Sequence, residues 1–272
     1  MTSWQDLTAE LDLWTSEKRL ATFWWRDDDL VAPSPALDRL ISLRDHFNIP
    51  LALAVIPEAV DSTLTDHVPD CFILQHGFHH HNYADPKEKK SEFSNIRPIV
   101  EMEADLQNGQ SILSQLFGDQ FLPFFVPPWN RIDDKVLQQL PKLGYIGLSR
   151  YKQRSKAVPV AGMVEINAHV DPIDWRGSRS SLETDQILTM VLEHLIARRT
   201  GRADPREPTG LLTHHLVHDE EVWAQIYQLM SFLCNHSSVR WIPLPAAIAL
   251  IDEISEDIIL PKVEAEPADD NS

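Results

Sequence analysis

Histidine and aspartate, two residue types that bind divalent cations, are concentrated in three short stretches of this chain. Residues 76–81 read HGFHHH and contain four of the chain's twelve histidines. Three consecutive aspartates occupy positions 27–29, and residues 214–219 read HHLVHD. Each stretch follows an apolar segment typical of a buried strand, and in an α/β barrel the chemistry takes place at the carboxyl ends of the strands. Because imidazole and carboxylate suit zinc and similar ions, the pattern indicates the metal site of a metal-dependent hydrolase.

The aspartates and the first histidine cluster have the spacing that such a site needs. Adjacent carboxylates repel one another, so a cation would stabilise residues 27–29, and one carboxylate could bind it while a neighbour acts as a base. The alternative is that the aspartates cap a following helix. His76 and His80 are four residues apart and can meet on one face of a helical turn, where both reach one ion. His79 and His81 would then point elsewhere.

Three later segments could complete an active site. Consecutive prolines at 127–128 stop a strand and stiffen the loop that presents Trp129, whose ring could pack on a sugar or belong to the core. Asp174 and Trp175 follow another predicted strand and could line a pocket. His214 leaves the end of a buried strand, and a histidine there can act as a general acid because its ordinary pKa lies near neutrality.

Apolar segments and helical patterns alternate along the chain, which predicts an α/β fold. The predicted strands are Ala21–Arg26, Leu51–Ile56, Cys71–Gln75, Leu122–Val126, Tyr145–Leu148, Val164–Ala168, Gly210–Thr213 and Arg240–Ile242. The predicted helices are Leu37–Phe47, Val100–Phe117, Asp133–Leu143, Leu182–Arg199, Glu220–Cys234 and Pro245–Ile254. Units of this kind form a parallel sheet, and seven or eight of them in about 250 residues favour a closed or nearly closed barrel. An open doubly wound sheet is the alternative, although no glycine-rich phosphate-binding motif follows any strand.

Composition restricts the kinds of binding partner and the cellular compartment that we expect for this chain. The 272 residues carry a formal charge of -17, which argues against nucleic-acid or anionic-membrane partners. The start of the chain has no signal-peptide pattern, and no apolar stretch would span a membrane, so a cytoplasmic protein is expected. The two cysteines, Cys71 and Cys234, are expected to be buried free thiols. We predict an N-terminal helix packed on the barrel in residues 1–19, the barrel domain in 20–255, and an acidic disordered tail in 256–272.

Five motifs, taken in this order, resemble the polysaccharide deacetylase family, the NodB-homology domain of carbohydrate esterases. The motifs are Arg26–Asp29, His76-x-x-x-His80, Pro127–Trp129, Asp174–Trp175 and Leu212–His214. The resemblance covers about residues 20–250, and its specificity comes from the joint order of the motifs and their positions at strand ends. It implies a distorted (β/α) barrel with about seven parallel strands, similar to glycoside hydrolases and deacetylases.

The resemblance also implies a role for each motif. By position, Asp27 would be the general base, and Asp28, His76 and His80 would bind one divalent ion, with zinc expected. His214 would be the general acid. The aromatic loop and the Asp-Trp pair imply substrate contacts, which we list as Pro128, Trp129, Asp174 and Trp175.

Two positions depart from the family pattern. A third aspartate stands where the family has glycine, so a shift by one residue, to Asp28 as base and Asp29 as metal ligand, stays open. Val126 stands at the position of an arginine that orients the base, and Arg131 and Arg26 are candidates to replace it.

The resemblance predicts a metal-dependent hydrolase acting on carbon–nitrogen bonds other than peptide bonds. Such an enzyme would remove an acetyl or similar acyl group from an amino sugar or polysaccharide, with a metal-activated water, an aspartate base and a histidine acid. One alternative is a catalytically impaired protein that keeps the metal site and binds a glycan, which Val126 motivates. Another is a cytoplasmic enzyme for a small amide or imide, which the absent signal peptide motivates. The sequence gives no oligomeric state.

Overall fold

A computed structural model describes residues 1–251, and all strands among these residues pair in parallel within one curled sheet. The strands are β1 (Ala21–Leu30), β2 (Ala52–Val55), β3 (Phe72–His76), β4 (Phe121–Val126), β5 (Gly147–Leu148), β6 (Val164–Glu165), β7 (Thr209–Thr213) and β8 (Val239–Trp241). Seven follow the order β6-β5-β4-β3-β2-β1-β7, and β8 pairs with β1. A single parallel bridge between Val170 and Leu211 links the segment after β6 to β7, so the sheet curls towards closure. The predicted distorted (β/α) barrel is confirmed.

Helices surround this sheet. They are α1 (Trp4–Ser16), α2 (Pro35–Phe47), α3 (Ile99–Phe117), α4 (Asp134–Leu137), α5 (Thr184–Arg199), α6 (Glu220–Cys234) and α7 (Leu244–Ala249). Helix α1 packs against α5, where Arg199 forms an ion pair with the buried Glu10. The domain division at residue 20 stays a prediction, and the predicted tail at 256–272 lies outside the described residues. No helix within residues 1–251 has the length and apolarity needed to cross a bilayer.

Successive residues of the central strands pack on opposite faces of the sheet, as the pleat requires. Phe23 and Trp25 belong to the outer cluster, which the helices cover. Trp24 lies between them in sequence and belongs to the interior cluster with Leu74 and Phe124. Helix α7 adds Leu244 to that interior. Burial on both faces explains why the strands read as continuous apolar segments in the sequence.

Two predicted elements and one predicted burial differ from the structure for identifiable reasons. The helix predicted over 133–143 ends at Leu137, and a separate 3-10 turn follows at Leu140–Leu143, because Pro141 has no N–H for a continuous helix. Strand β1 continues through the aspartates to Leu30, with its register against β2 broken between Asp27 and Leu30. Cys71 is buried as expected, but the prediction that Cys234 is buried is wrong, because it lies on the solvent side of the last turn of α6.

Candidate active site and metal centre

Strand β1 carries its three aspartates into three different environments. Asp27 and Asp28 lie on opposite faces because they are neighbours in an extended strand. Asp28 shares its face with Arg26, two residues earlier, which binds it. Asp29 has a positive φ of 71°, which breaks the alternation of the strand. A positive φ is uncommon for residues other than glycine, although aspartate tolerates it better than most, and here it turns the third carboxylate towards β3.

Asp29 lies between His76 and His80. Its Oδ1 atom is 3.1 Å from Nε2 of His76 and 3.3 Å from Nε2 of His80. His76 is the buried last residue of β3, and residues 77–80 form a non-helical loop, so the two rings meet without the helical turn that the spacing predicts. Donor atoms about 2.0–2.1 Å from a tetrahedral zinc ion lie about 3.3–3.4 Å apart. The separations in this group therefore fit the ligand set of one such ion.

The hydrogen bonds of His76 leave one ring nitrogen available for a metal. Its Nδ1 atom is 2.9 Å from the carbonyl oxygen of Val126, which can only accept, so Nδ1 carries the proton and donates it. In the neutral ring the lone pair is then on Nε2, the atom that faces Asp29. Metal-bound histidines commonly donate their other N–H to a backbone carbonyl in this way, which fixes the tautomer.

The charges of this group favour a cation at its centre. Burial alone would raise the pKa of Asp29, but the hydrogen bond to His76 and the nearby histidines hold that pKa below its ordinary range. Burial would also lower the pKa of His76, but the carboxylates of Asp28 and Asp29 outweigh burial and raise it. For His80, burial and the charge of His76 lower the pKa. A divalent ion would take the place of the proton that these groups otherwise share.

Asp28, the metal ligand assigned by motif position, lies outside this group and pairs with Arg26 instead. Arg26 donates to Asp28 from Nε at 2.8 Å and from Nη2 at 3.0 Å, and both side chains are buried. The same guanidinium also donates to Asn130 and Ser149. Such a two-pronged contact fixes the orientation of the carboxylate. Arg26 and Arg131 were the two candidates to replace the arginine of the motif, and Arg26 is the one that contacts an aspartate of the triplet.

Arg131, the other candidate, contacts the surface of the loop instead. Its guanidinium donates to the carbonyl oxygen of Lys90 at 2.9 Å. Val126, at the family's usual arginine position, is fully buried in the interior cluster.

Asp27, the base assigned by motif position, is fully buried and bonded to the end of β7. Its Oδ2 accepts hydrogen bonds from the hydroxyl of Thr213 at 2.6 Å and from the backbone N–H of His215 at 3.0 Å. Its Oδ1 pairs with Nδ1 of His215. Burial would raise the pKa of Asp27, but the charge and hydrogen bond of His215 outweigh it and lower that pKa, while Asp27 raises the pKa of His215. This pair joins β1 to the segment that carries His214.

His214 lies beside Trp175 and near a buried carboxylate that the sequence analysis did not single out. The ring of Trp175 meets His214 edge-on with centroids 4.8 Å apart. Trp175 also donates from Nε1 to Oδ2 of Asp171 at 2.7 Å. Burial raises the pKa of Asp171, and the charge of His214 opposes that rise. Asp171 stands three residues before the Asp-Trp motif, so this spacing was the signal available in the sequence.

Asp174, for which the resemblance implies substrate contact, stabilises the local turn. Its carboxylate accepts the backbone N–H groups of Gly177 and Ser178 at 3.0 and 3.2 Å. Trp175 keeps 40% of its surface exposed.

Trp129 lies beside His80. Its ring centroid is 4.5 Å from that of His80, and it is half-buried with a positive φ of 55°. Pro128 is buried beneath the loop and packs against Gly77. The structure thus brings together Asp29, His76 and His80, with Trp129 against His80 and with His214 close enough to Asp29 for its charge to act on that carboxylate.

A second group with metal-binding residue types, His169, His194 and Glu207, is fully buried elsewhere. Its hydrogen bonds are the reverse of those at His76. The backbone N–H of Gly210 donates to Nδ1 of His169 at 3.0 Å, so the proton of the neutral ring must be on Nε2, which faces Glu207 at 3.4 Å. Burial holds the pKa of His169 well below its ordinary value, so the ring stays neutral. His169 therefore offers no lone pair to an ion in this group.

Comparison with known proteins finds similarity at the level of structure. No family model and no curated relative matches the sequence. A peptidoglycan N-acetylglucosamine deacetylase solved with a bound hydroxamate-type benzamide aligns at TM-score 0.52 and 15% identity, over 87% of this chain and 95% of that one. A family 4 carbohydrate esterase from Streptomyces lividans, solved with acetate, aligns at 0.51 and 14%, over 81% and 90%. A family 4 acetyl xylan esterase from Clostridium thermocellum, solved with a cobalt ion, aligns at 0.54 and 13%, over 84% and 91%. This chain therefore has the fold of solved carbohydrate deacetylases and esterases.

Proposed function

We propose that this protein is a metal-dependent deacetylase that removes an acetyl or similar acyl group from an amino sugar or polysaccharide. The observation that carries the proposal is the group of Asp29, His76 and His80, whose ligand atoms lie within 4.8 Å of one another at the carboxyl end of the sheet. The fold and the two flanking tryptophans support a carbohydrate substrate. The cobalt ion in the acetyl xylan esterase supports a divalent ion in this fold.

The three residues would hold one divalent ion, with zinc expected from two imidazoles and one carboxylate. When bound, the ion would polarise the acyl carbonyl and make a water molecule acidic enough to act near neutral pH. This assignment uses the shifted register, with Asp29 as ligand in place of Asp28. It leaves the neighbouring Asp28, oriented by Arg26, to accept the proton of the attacking water.

The other side of the site would serve the leaving group. His214 would donate a proton to the departing amine or alkoxide, and Asp171 would hold the indole of Trp175 that packs edge-on against this imidazole. Trp129 and Trp175 would pack on the faces of a sugar ring. Asp27, with both oxygens occupied by the β7 end, would hold the backbone that positions His214.

The contact between Arg26 and Asp28 favours an active enzyme over an impaired glycan-binding protein. The argument for impairment was that Val126 replaces an arginine. The fully buried guanidinium of Arg26 nevertheless reaches a carboxylate beside the proposed metal ligands. It does so from β1, whereas Val126 lies in β4.

The proposal is tested by measuring metal content and acetate release together. We expect one divalent ion per chain by elemental analysis, release of acetate from a chitooligosaccharide, loss of this activity on chelation, and recovery with zinc. One bound ion without release from any acetylated sugar would contradict the deacetylase and favour the glycan-binding alternative. Release from small amides alone would favour an amidase. A protein that binds no ion after reloading would contradict the metal centre itself.

A further inference from the structure

The loop that presents His80 is folded around a buried carboxylate that no motif includes. Three successive backbone N–H groups point at Glu92. Phe78 and His79 donate to its Oε1 at 3.1 and 2.7 Å, and His80 donates to its Oε2 at 3.2 Å. Glu92 is fully buried. Consecutive N–H groups that converge in this way form a concave anion site, and here the protein supplies the anion itself.

This contact replaces the hydrogen bonds that a regular element would provide. Residues 77–80 lie in neither a helix nor a strand, so their partly buried N–H groups need acceptors from elsewhere. His80 has a positive φ of 56°, a conformation that is uncommon for residues other than glycine, although histidine adopts it more readily than most. Both carboxylate oxygens of Glu92 accept hydrogen bonds from that loop, and Oε2 accepts the N–H of His80, a proposed metal ligand.

The close approach of Glu92 and Pro128 to the backbone explains why residue 77 is a glycine. A Cβ atom on Gly77 would lie 2.1 Å from Oε2 of Glu92 and 2.5 Å from Cγ of Pro128. Gly77 also has a positive φ of 59°, which disfavours any other residue. The carboxylate is anchored from behind, because the next residue, Phe93, forms a bridge with Ile132 and is fully buried.

We propose that Glu92 is a positioning residue of the metal centre, whose carboxylate holds the loop in the one conformation that brings His80 to Asp29. This inference rests on the proposed function, because it concerns the same ion. Preorganisation of this kind raises metal affinity, since the free protein then loses no loop entropy on binding. Groups that orient metal ligands from behind typically change metal affinity by about 10–100-fold when they are removed.

The test compares Glu92→Gln with Glu88→Gln. Both changes remove one negative charge at nearly constant volume, but Glu88 is an exposed residue of the same segment. The dissociation constants for zinc and cobalt are measured by competition with a coloured chelator, and the visible spectrum of bound cobalt reports its coordination. We expect Glu92→Gln to bind both ions about 10–100-fold more weakly with an altered cobalt spectrum, and Glu88→Gln to match the wild-type protein.

Circular dichroism separates loss of positioning from loss of folding. If Glu92→Gln does not fold, Glu92→Asp is used, which keeps the charge but moves it by one methylene. A folded Glu92→Asp protein with weakened zinc binding supports the inference, and one with wild-type binding overturns it. Wild-type affinity and cobalt spectrum in Glu92→Gln also overturn it and leave the proposed function intact. A wild-type protein that binds no ion overturns both.

Discussion

Substitution of the three aspartates one at a time would distinguish the two possible registers of the first motif. In the shifted register, Asp28→Asn keeps the metal and loses turnover, whereas Asp29→Asn loses the metal. If roles follow motif position instead, Asp28→Asn loses the metal and Asp27→Asn loses turnover alone. The placement of Asp29, at 3.1 Å from His76 and 3.3 Å from His80, leads us to expect the first pattern.

The size of each effect follows from the contacts. Removal of a general base lowers the rate by about 10²–10⁴-fold, or about 3–5 kcal/mol of activation free energy. Asp28→Asn also leaves the fully buried Arg26 without its charged partner, which costs about 3–5 kcal/mol of stability. For a domain of this size that is a fall in Tm of about 6–20 °C. Turnover must therefore be measured well below the Tm of the variant.

The assay combines three measurements on the same preparation: metal content, acetate release from a chitooligosaccharide, and Tm. Asp27→Asn is the matched control, because it also breaks a buried ion pair but leaves the proposed metal ligands and base in place. We expect it to lose stability and to keep its ion and at least a measurable rate. An Asp28→Asn protein that loses its metal while it remains folded, or one that keeps both metal and full activity, would refute the reasoning.

Three further predictions concern the substrate wall, a buried carboxyl group and the arginine position. Trp129→Ala should lower kcat/KM for an oligosaccharide about 3–10-fold with unchanged metal content, since an aromatic contact contributes about 0.5–1.5 kcal/mol, and steady-state kinetics with elemental analysis would check this. Burial raises the pKa of Glu207 from 4.5 to about 7. Between these two pH values the folded protein keeps a proton that the unfolded chain has lost, so Glu207 increasingly destabilises the fold as the pH rises from 4.5 through 7. Urea titrations should therefore show Glu207→Gln gaining about 2–3 kcal/mol relative to wild type between pH 5 and 8, and a pH-independent difference would contradict it. Val126→Arg, which introduces arginine where the deacetylase motif has it, should lower Tm without raising kcat/KM, because Val126 is fully buried and Arg26 already contacts both oxygens of Asp28. A more active Val126→Arg protein would contradict the role of Arg26.

Apolar patterning carried most of the information about the fold. The fourth strand was predicted from Leu122 and begins at Phe121, because five of its six residues are apolar and turn-forming residues precede them. The pattern was less informative where polar side chains lie in a strand. Strand β1 continues past Arg26 into three aspartates, which are rare in strands, because partners from distant segments satisfy them. One such partner, His215, is 188 residues away from Asp27.

The candidate site likewise depends on contacts that the sequence pattern does not show. The two histidines of the candidate metal group and the proposed acid could be identified from motif spacing. The register of the aspartates could not, since three identical side chains do not show which one is the ligand and which one is the base. Strict alternation would have put Asp27 and Asp29 on one face. The positive φ of Asp29 breaks that relation. Glu92 was missed because its effect depends on backbone contacts that have no signature in spacing, and Asp171 was missed although its position three residues before the Asp-Trp pair was a signal in the sequence.

The position of Arg26 shows how, under the proposed mechanism, an incomplete motif can still provide its chemistry. A guanidinium must approach a base along the face on which the carboxylate projects, and the pleat of a strand places residues two apart on one face. Arg26 meets this requirement from the same strand as Asp28, with two hydrogen bonds of 2.8 and 3.0 Å. The neighbouring strand is then free to place an apolar residue, Val126, in the interior cluster. The absence of arginine from one motif is therefore weak evidence for an inactive protein, because the same charge can reach the base from any strand end that borders the site.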